Sequence, residues 1–325
     1  MAALLAACVI LAAAALCMGQ FHIAPETVLA ELSGRGGGQT NVRTVLFNIR
    51  IPRILLALIA GAGLSSAGAA FQSLFANPLA TPDTLGVANG ASFGAALGIL
   101  LGFGAPEVQL CAFLFGILSV ILVFTVTKTA SGGRPSMIMV ILAGMVISSL
   151  FSALVSLVKY IADPQDVLPV ITFWLMGSFS GVTQRSLLLG APVILTGTIL
   201  IFCLRFRLNA LSLPEDEARA LGVNLPLLRA LVILAATAVT ATMVALCGVI
   251  GWVGLLIPHV ARMAFGNNNC YVVPFSILAG GLFMLAADTA ARCMTASEIP
   301  VSILTAVIGA PVFILLLRKT GGFRT

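Results

Sequence analysis

Charge is scarce along this chain, and the gaps between charged residues set its architecture. Uncharged stretches run from 1 to 25, 54 to 82, 84 to 106, 108 to 127, 135 to 158, 186 to 204, 230 to 261, 263 to 287 and 299 to 317. Each is close to or above the roughly 20 residues that cross a bilayer as a helix. The period-two alternation of a barrel is absent, so an all-α polytopic membrane protein is expected. The stretch from 230 to 261 is too long for one span: at about 1.5 Å per residue it would make a rod of roughly 48 Å, against a hydrocarbon core of about 30 Å. Gly248, Gly251, Gly254 and Pro258, in CGVIGWVGLLIPHVAR, supply a structural break there. Ten segments follow: about 1 to 19, 51 to 74, 89 to 104, 107 to 128, 136 to 160, 187 to 206, 229 to 247, 254 to 265, 271 to 292 and 301 to 318.

Composition agrees with that pattern. With 60% hydrophobic and 9% charged residues and a mean hydropathy of +1.12, the 325 residues cannot hide their apolar surface in one soluble core. They read as a single transmembrane domain, 1–325. Ten crossings put both termini on one side. If that side is cytoplasmic, the inside holds Lys128, Arg134, Arg205, Arg207, Arg219, Arg229, Arg262, Arg318, Lys319 and Arg324, and the outside Arg35, Arg43, Arg50, Arg53, Lys159, Arg185 and Arg292. The positive-inside excess is small, and Arg50, Arg53 and Arg292 oppose it. In NIRIPRILLALIAGAGL, Arg50 and Arg53 stand three apart around Pro52. A helix starting there would place both in its first turn, against the macrodipole. Arg292 ends the ninth segment on the same side, so these three cations can gather either as lipid anchors or as a docking site. Residues 1 to 19 lack a basic n-region and an A-x-A site, and read as a first span rather than a cleaved signal peptide.

The longest polar segment on the inner side is RFRLNALSLPEDEARALGVNLPLLRAL, 205 to 231. Leu213-Pro214 followed by Glu215, Asp216 and Glu217 is a helix start, and ALGVN a helix stop. A second short helix is expected near Pro226, the two joined at Gly222 in a knob covering about 211–230. The knob is either an amphipathic hairpin lying on lipid or a docking surface for a soluble partner. FANPLATPDTLGVANG, 75 to 90, has two X-Pro steps with Asn77, Asp83 and Asn89 placed to cap turns. It is either a tight loop or part of an inner gate, with Asn77, Pro78 and Gly86 beside the path. MGSFSG, 176 to 181, suits a short outer helix and turn, and Gly61, Gly63, Ser65, Ser66 and Gly68 allow close helix packing.

Other chemistry is sparse. Asp288 is either a proton-relay carboxylate or the local ion-pair partner of Arg292, four residues on, and the acid-before-base order favours the pair. His22 and His259 are isolated, and Cys8, Cys17, Cys111, Cys203, Cys247, Cys270 and Cys293 form no C-x-x-C pair, so no metal site is expected. No G-x-x-x-x-G-K-[ST] phosphate loop occurs, and SGRGGGQT reads as a flexible linker. Energy from ATP would therefore enter through a partner.

RIPRILLALIAGAGLSSAGAAFQSLFANPLATPDTLGVANGASFG resembles the opening signature of the permease subunits of iron-siderophore, haem and vitamin B12 importers of the ATP-binding cassette superfamily. EARALGV resembles their coupling loop, GVIGWVGLLIPHVAR the segment after the seventh helix, and SEIPVSILTAVIGAPVFILLL the last helix; the likeness runs in order from about residue 48 to 319. It implies the type II importer fold in the bacterial inner membrane and a homodimer with a second permease subunit. Two cytoplasmic ATPases would hydrolyse ATP below, an extracytoplasmic binding protein would sit above, and this chain would bind no cofactor itself. It implies ATPase coupling through Glu217, Ala218, Arg219, Leu221, Gly222 and Val223, and docking of acidic residues of the binding protein on Arg50, Arg53 and Arg292. The expected cargo is a metal chelate, a ferric siderophore first and haem or cobalamin next. Membrane lipid is a further partner, and no nucleic acid is expected. A secondary transporter driven by an ion gradient is the alternative, with few buried charges to build its relay; an intramembrane enzyme would need a nucleophile and base or a metal motif, and none stands out.

Overall fold

Fourteen α-helices make up the computed structural model, which describes residues 1–35, 40–130, 137–295 and 297–319. The glycine run 36–39, Arg134 and Arg324 lie outside the described residues. In chain order the helices are α1 (Ala2–Cys17), α2 (Pro25–Leu32), α3 (Thr40–Thr44), α4 (Ile51–Leu74), α5 (Val87–Leu100), α6 (Ala105–Ala130), α7 (Met137–Ile161), α8 (Val167–Leu175), α9 (Gln184–Leu204), α10 (Glu215–Ala220), α11 (Leu225–Cys247), α12 (Val253–Phe265), α13 (Asn269–Cys293) and α14 (Val301–Lys319). A π-helical turn, Val45–Arg50, and two 3₁₀ turns, Pro82–Leu85 and Arg207–Ser212, complete the order.

Among the described residues, six helices are long and apolar enough to cross a membrane: Asn41–Leu74, Ala105–Thr129, Met137–Ile161, Gln184–Leu204, Leu225–Cys247 and Asn269–Cys293. Four shorter apolar helices, α1, α5, α12 and α14, fill the remaining expected positions. At about 1.5 Å per residue, α5 and α12 reach only some 20 Å, short of a bilayer core. Each is preceded by an irregular segment, 75–86 and 248–252, whose ends at 85–86 and 248 are buried against neighbouring helices, while Ala76, Asn77, Leu79 and Asp83 are exposed. The turn at 82–86 lies on α7, where a Cβ on Gly144 would stand 2.0 Å from the Thr84 carbonyl oxygen. Gly248, with φ +70, is seated on α8 and the turn after it, where a Cβ would lie 2.2 Å from the Trp174 carbonyl oxygen. Irregular backbone at membrane depth is tolerated in such protein-lined positions.

α4 and α11 form the middle of the bundle: 78% and 72% of their apolar windows are buried, against 28% for α7. Small residues make the close approaches. A Cβ on Gly61 would meet the Gly280 carbonyl oxygen at 2.0 Å, and one on Gly68 the Gly254 carbonyl oxygen at 1.8 Å. Backbone therefore lies on backbone where α4 crosses α13 and α12, as the run from Gly61 to Gly68 predicts.

Four expectations need correction. The second span does not begin at residue 51: Asn41–Leu74 is one continuous apolar helix, so Arg50 and Arg53 are not in a first turn and do not oppose a macrodipole. Pro52 lacks the N–H for an i→i−4 bond and crowds the carbonyl before it, and the π-helical turn Val45–Arg50 accommodates this by widening the helix instead of ending it. Pro226 likewise opens no separate short helix. Asn224 caps α11 by accepting from the Leu227 N–H at 3.1 Å, Pro226 takes its first turn, and nothing breaks the helix before Cys247. In the break, Gly248 and Gly251 lie in the irregular segment, whereas Gly254 and Pro258 are inside α12. Asn89 caps no turn, because it lies within α5.

Candidate functional site

At one end of the bundle the ends of α4 and α13 share a buried charge cluster. Arg53, three residues past the π turn, donates from Nε to Asp288 Oδ1 at 2.9 Å, with Nη2 2.8 Å from the same oxygen. Its Nη1 donates to Glu298 Oε2 at 2.7 Å. Arg292 Nε lies 3.3 Å from Asp288 Oδ2. Arg50 turns the other way, donating to the carbonyl of Leu16 in the last turn of α1 and to that of Phe21 in the loop after it. Gln20 in that loop donates to the Thr295 carbonyl at 3.4 Å, which closes the ring of segments. The three arginines come from positions far apart in sequence to one place, as expected from their common side.

Their surroundings differ from that expectation. Arg50 and Arg53 are 3% exposed and Arg292 5%, so none is a free cation on a rim. Asp288 is paired with Arg292 as expected, but its closer partner is Arg53, and its side chain is fully buried. Three cations face two carboxylates, leaving one positive charge over. Sequence reasoning missed Glu298, whose signal was its place just before Pro300 in SEIPV.

Within the bundle, the irregular segments meet. Asn77 accepts from the Leu79 N–H at 2.9 Å in an Asx turn, and Thr81 and Thr84 cap the 3₁₀ turn reciprocally. Pro78 lies in the turn between them, and Gly86, with φ +74, hands the chain to α5. Leu64, Thr81, Asp83, Thr240, Gly248 and Trp252 border a cavity of about 40 Å³. It has room for a water or two and no larger solute. On the far side, the Ser178 N–H donates to the Cys247 carbonyl at 2.8 Å, so the turn of MGSFSG is tied to the break. Asp163, in the loop before α8, accepts from the N–H groups of Gln165 and Asp166, which hold its carboxyl below the usual range. Among the described residues no three His, Cys, Asp or Glu side chains gather as a metal site. His259 packs against Phe313.

The knob is one short helix, α10, between the 3₁₀ turn and α11. Glu215, Asp216 and Glu217 occupy its first turn, Ala218 is its buried anchor, and Leu221 is 67% exposed. Gly222, with φ +73, ends it with nothing within 4 Å of a would-be Cβ, and Val223 packs on the core. Glu215 bridges Arg219 at 3.4 Å and Arg229 at 2.9 Å, fixing α10 to the first turns of α11. Glu217, Arg219, Leu221 and Gly222 thus face outward on a braced, solvent-accessible corner.

Among the described residues, ten apolar helices with two irregular breaks define a polytopic membrane protein, and one short helix carries an exposed polar corner. The chain belongs to the FecCD transport family, whose model matches residues 4–319. It is 46% identical over 276 residues to the molybdate import system permease protein MolB of Haemophilus influenzae, covering 85% of this chain and 81% of that one. It is 36% identical over 283 residues to a protein of Helicobacter pylori named as a probable iron chelatin transport system permease, covering 87% and 85%. A solved structure described as an inward-facing conformation of a candidate metal-chelate type ABC transporter superposes with a TM-score of 0.87 at 41% identity, covering 98% of both chains.

Proposed function

We propose that this chain is the permease subunit of an ATP-binding cassette importer for a metal chelate, working in the bacterial cytoplasmic membrane as a homodimer. Family membership across residues 4–319 is the observation that carries this reading. ATP hydrolysis is assigned to two partner ATPases, because the chain has no phosphate loop. The exposed corner of α10 receives them, and their closure moves the pore helices as near-rigid bodies in alternating access. Asn77, Pro78 and Gly86 belong to the inner gate, a reading supported by their place in the irregular segment between α4 and α5.

An extracytoplasmic binding protein is placed on the face that carries Arg50, Arg53 and Arg292. Because these guanidiniums are buried, their part is to hold the shape of that face and to give it a positive excess that steers an acidic partner. A ferric siderophore is the first cargo, with haem and cobalamin next. The 46% identity to a molybdate permease favours a second reading, a metal oxyanion. Proteoliposomes containing the permease, its ATPase and its binding protein test the assignment with labelled ferric siderophore, haem, cobalamin and molybdate. ATP-dependent accumulation of one of the three chelates is expected. Accumulation of molybdate alone would replace the chelate by the oxyanion, and uptake driven by an ion gradient without ATP would overturn the importer reading.

A further inference from the structure

A second polar node, unlike the charge cluster, lies where α10's leading 3₁₀ turn meets three spans. Asn209, in that turn, accepts at Oδ1 from the backbone N–H of Asn269 at 2.9 Å and from its Nδ2 at 3.0 Å, and donates from Nδ2 to Asn268 Oδ1 at 3.1 Å. Asn269 is 1% exposed at the start of α13, and its Oδ1 lies 3.0 Å from Ser73 Oγ and 3.4 Å from Arg262 Nη2. Arg262, in the last turn of α12, donates to the Ala69 carbonyl at 3.1 Å, Ser73 Oγ at 3.0 Å and Gln72 Oε1 at 3.1 Å, all on the last turns of α4. Gln72 Nε2 then donates to the Leu255 carbonyl at 3.3 Å, just past the break.

Two properties make this node more than packing. Among the described residues Arg262 pairs with no carboxylate; its charge rests on amide and hydroxyl oxygens at the C-terminal end of α4, where the helix dipole favours a cation. The backbone at the same two α4 residues starts the segment 75–86: the Asn77 N–H donates to the Gln72 carbonyl at 3.1 Å and the Ala76 N–H to that of Ser73 at 3.3 Å. A displacement of the 3₁₀ turn therefore has a continuous hydrogen-bonded route to α13, α12, the end of α4, the irregular turn after it and the break before α12.

We propose that Asn209, Asn269 and Arg262 form the joint through which movement of α10 is passed to the ends of α4, α12 and α13. Asn209 and Asn269 are positioning residues that touch no cargo. The inference rests on the reading that an ATPase docks on α10. The amide bonds of Asn209 and Asn269 can lengthen or exchange partner without stranding a charge, and the half-buried Arg262 has four oxygens, on Ala69, Gln72, Ser73 and Asn269, among which to shift.

The test uses the complete transporter in proteoliposomes, with Asn209→Ala, Asn209→Asp and Arg262→Lys. Asn209→Asp keeps the acceptor for Asn269 but loses the donor to Asn268. Cargo moved per ATP hydrolysed is expected to fall about five-fold or more in Asn209→Ala, with hydrolysis within about two-fold of wild type, and to recover in part in Asn209→Asp. Arg262→Lys, which keeps the charge but loses the fork, should fall between. Spin labels on α10 and at the end of α4 should show nucleotide-dependent movement of both in wild type and of α10 alone in Asn209→Ala. An unchanged cargo-to-ATP ratio, or equal loss of uptake and hydrolysis together with equal movement of both labels, would overturn the joint. Failure of the ATPase to co-purify with the wild-type permease would instead remove the docking reading, and the joint with it.

Discussion

The two polar clusters hold a guanidinium against apolar helices by opposite chemistry, Arg53 buried and Arg262 half-buried. Around Arg53 the solution is ionic: Asp288 is fully buried and shared with Arg292, and Glu298 takes the remaining arm. Around Arg262 it is neutral, built from two amides, a hydroxyl and a helix-end carbonyl. A buried ion pair is strong only in one geometry, because moving either partner exposes an uncompensated charge in a medium of low dielectric. A neutral network contributes about 1 kcal/mol per bond and tolerates rearrangement. If the joint holds, the contrast separates an ionic anchor at one end of α13 from a coupling node at the other.

The largest expected effect breaks the ionic cluster. Asp288→Ala leaves Arg292 without a carboxylate and Arg53 with Glu298 alone, both 5% exposed or less, and removing one partner of a buried pair costs about 3–5 kcal/mol. Detergent-solubilised protein should unfold at a markedly lower temperature, with reduced yield. Arg53→Glu should do at least as much harm, since it sets a third acid against Asp288 and Glu298. If Asp288→Ala melts like wild type, the cluster is not a fixed anchor and the comparison fails.

Next comes the neutral node. Arg262→Met keeps most of the side-chain length while leaving Gln72, Ser73 and Asn269 to re-pair among themselves, so a loss of about 1–3 kcal/mol is expected. Thermal unfolding measured beside Asp288→Ala should rank the two in that order. An inverted order would mean that the neutral node, not the ionic cluster, is the rigid element.

How far this contrast was legible in the sequence depends on how each residue signals itself. Charged residues in apolar surroundings are visible at once, so Arg50, Arg53, Arg292 and Asp288 stood out, and all four come to one end of the bundle. Their burial was not legible, because a charge at a segment boundary reads as interfacial; the continuous helix from 41 to 74 carries Arg50 and Arg53 inside. The neutral node was invisible for the complementary reason. Gln72 and Asn209 are single amides and Asn269 ends the run Asn267–Asn269, and no local pattern links residues whose contact depends on three-dimensional packing. Spans, break and knob were legible because length, glycine and proline act locally. The second half of the knob was misread because Pro226 opens short and long helices alike.

Gly222→Val is a smaller perturbation and probes the corner that feeds the neutral node. With φ +73 and open space around it, the site resists valine through backbone strain alone, about 1–3 kcal/mol for a residue held in a sparsely populated region. Membrane insertion should be normal, and hydrolysis should be uncoupled from uptake or the ATPase lost from the complex. Gly222→Asn, which accepts this conformation better, should restore much of the loss. Normal uptake and assembly in Gly222→Val would make α10 a surface element without a coupling role.

The smallest expected effect separates the two halves of the ionic cluster. Glu298 has 30% of its side-chain surface exposed, whereas Asp288 has none, yet both bind the same guanidinium. Solvent at Glu298 raises the local dielectric and admits counter-ions, so this pair is closer to a surface salt bridge than to a buried one. Glu298→Gln keeps an oxygen acceptor for Arg53 Nη1 while removing the charge. The loss should be about 1 kcal/mol or less and should shrink as salt is raised, because screening already weakens the wild-type pair. Melting temperatures of wild type and Glu298→Gln at low and high salt measure this, with Asp288→Ala as the reference whose deficit should hardly respond. If the Glu298→Gln deficit proves as large and as insensitive to salt as that of Asp288→Ala, Glu298 belongs with the buried anchor. Arg53 would then be locked on both arms, and its whole face would be fixed when a partner arrives.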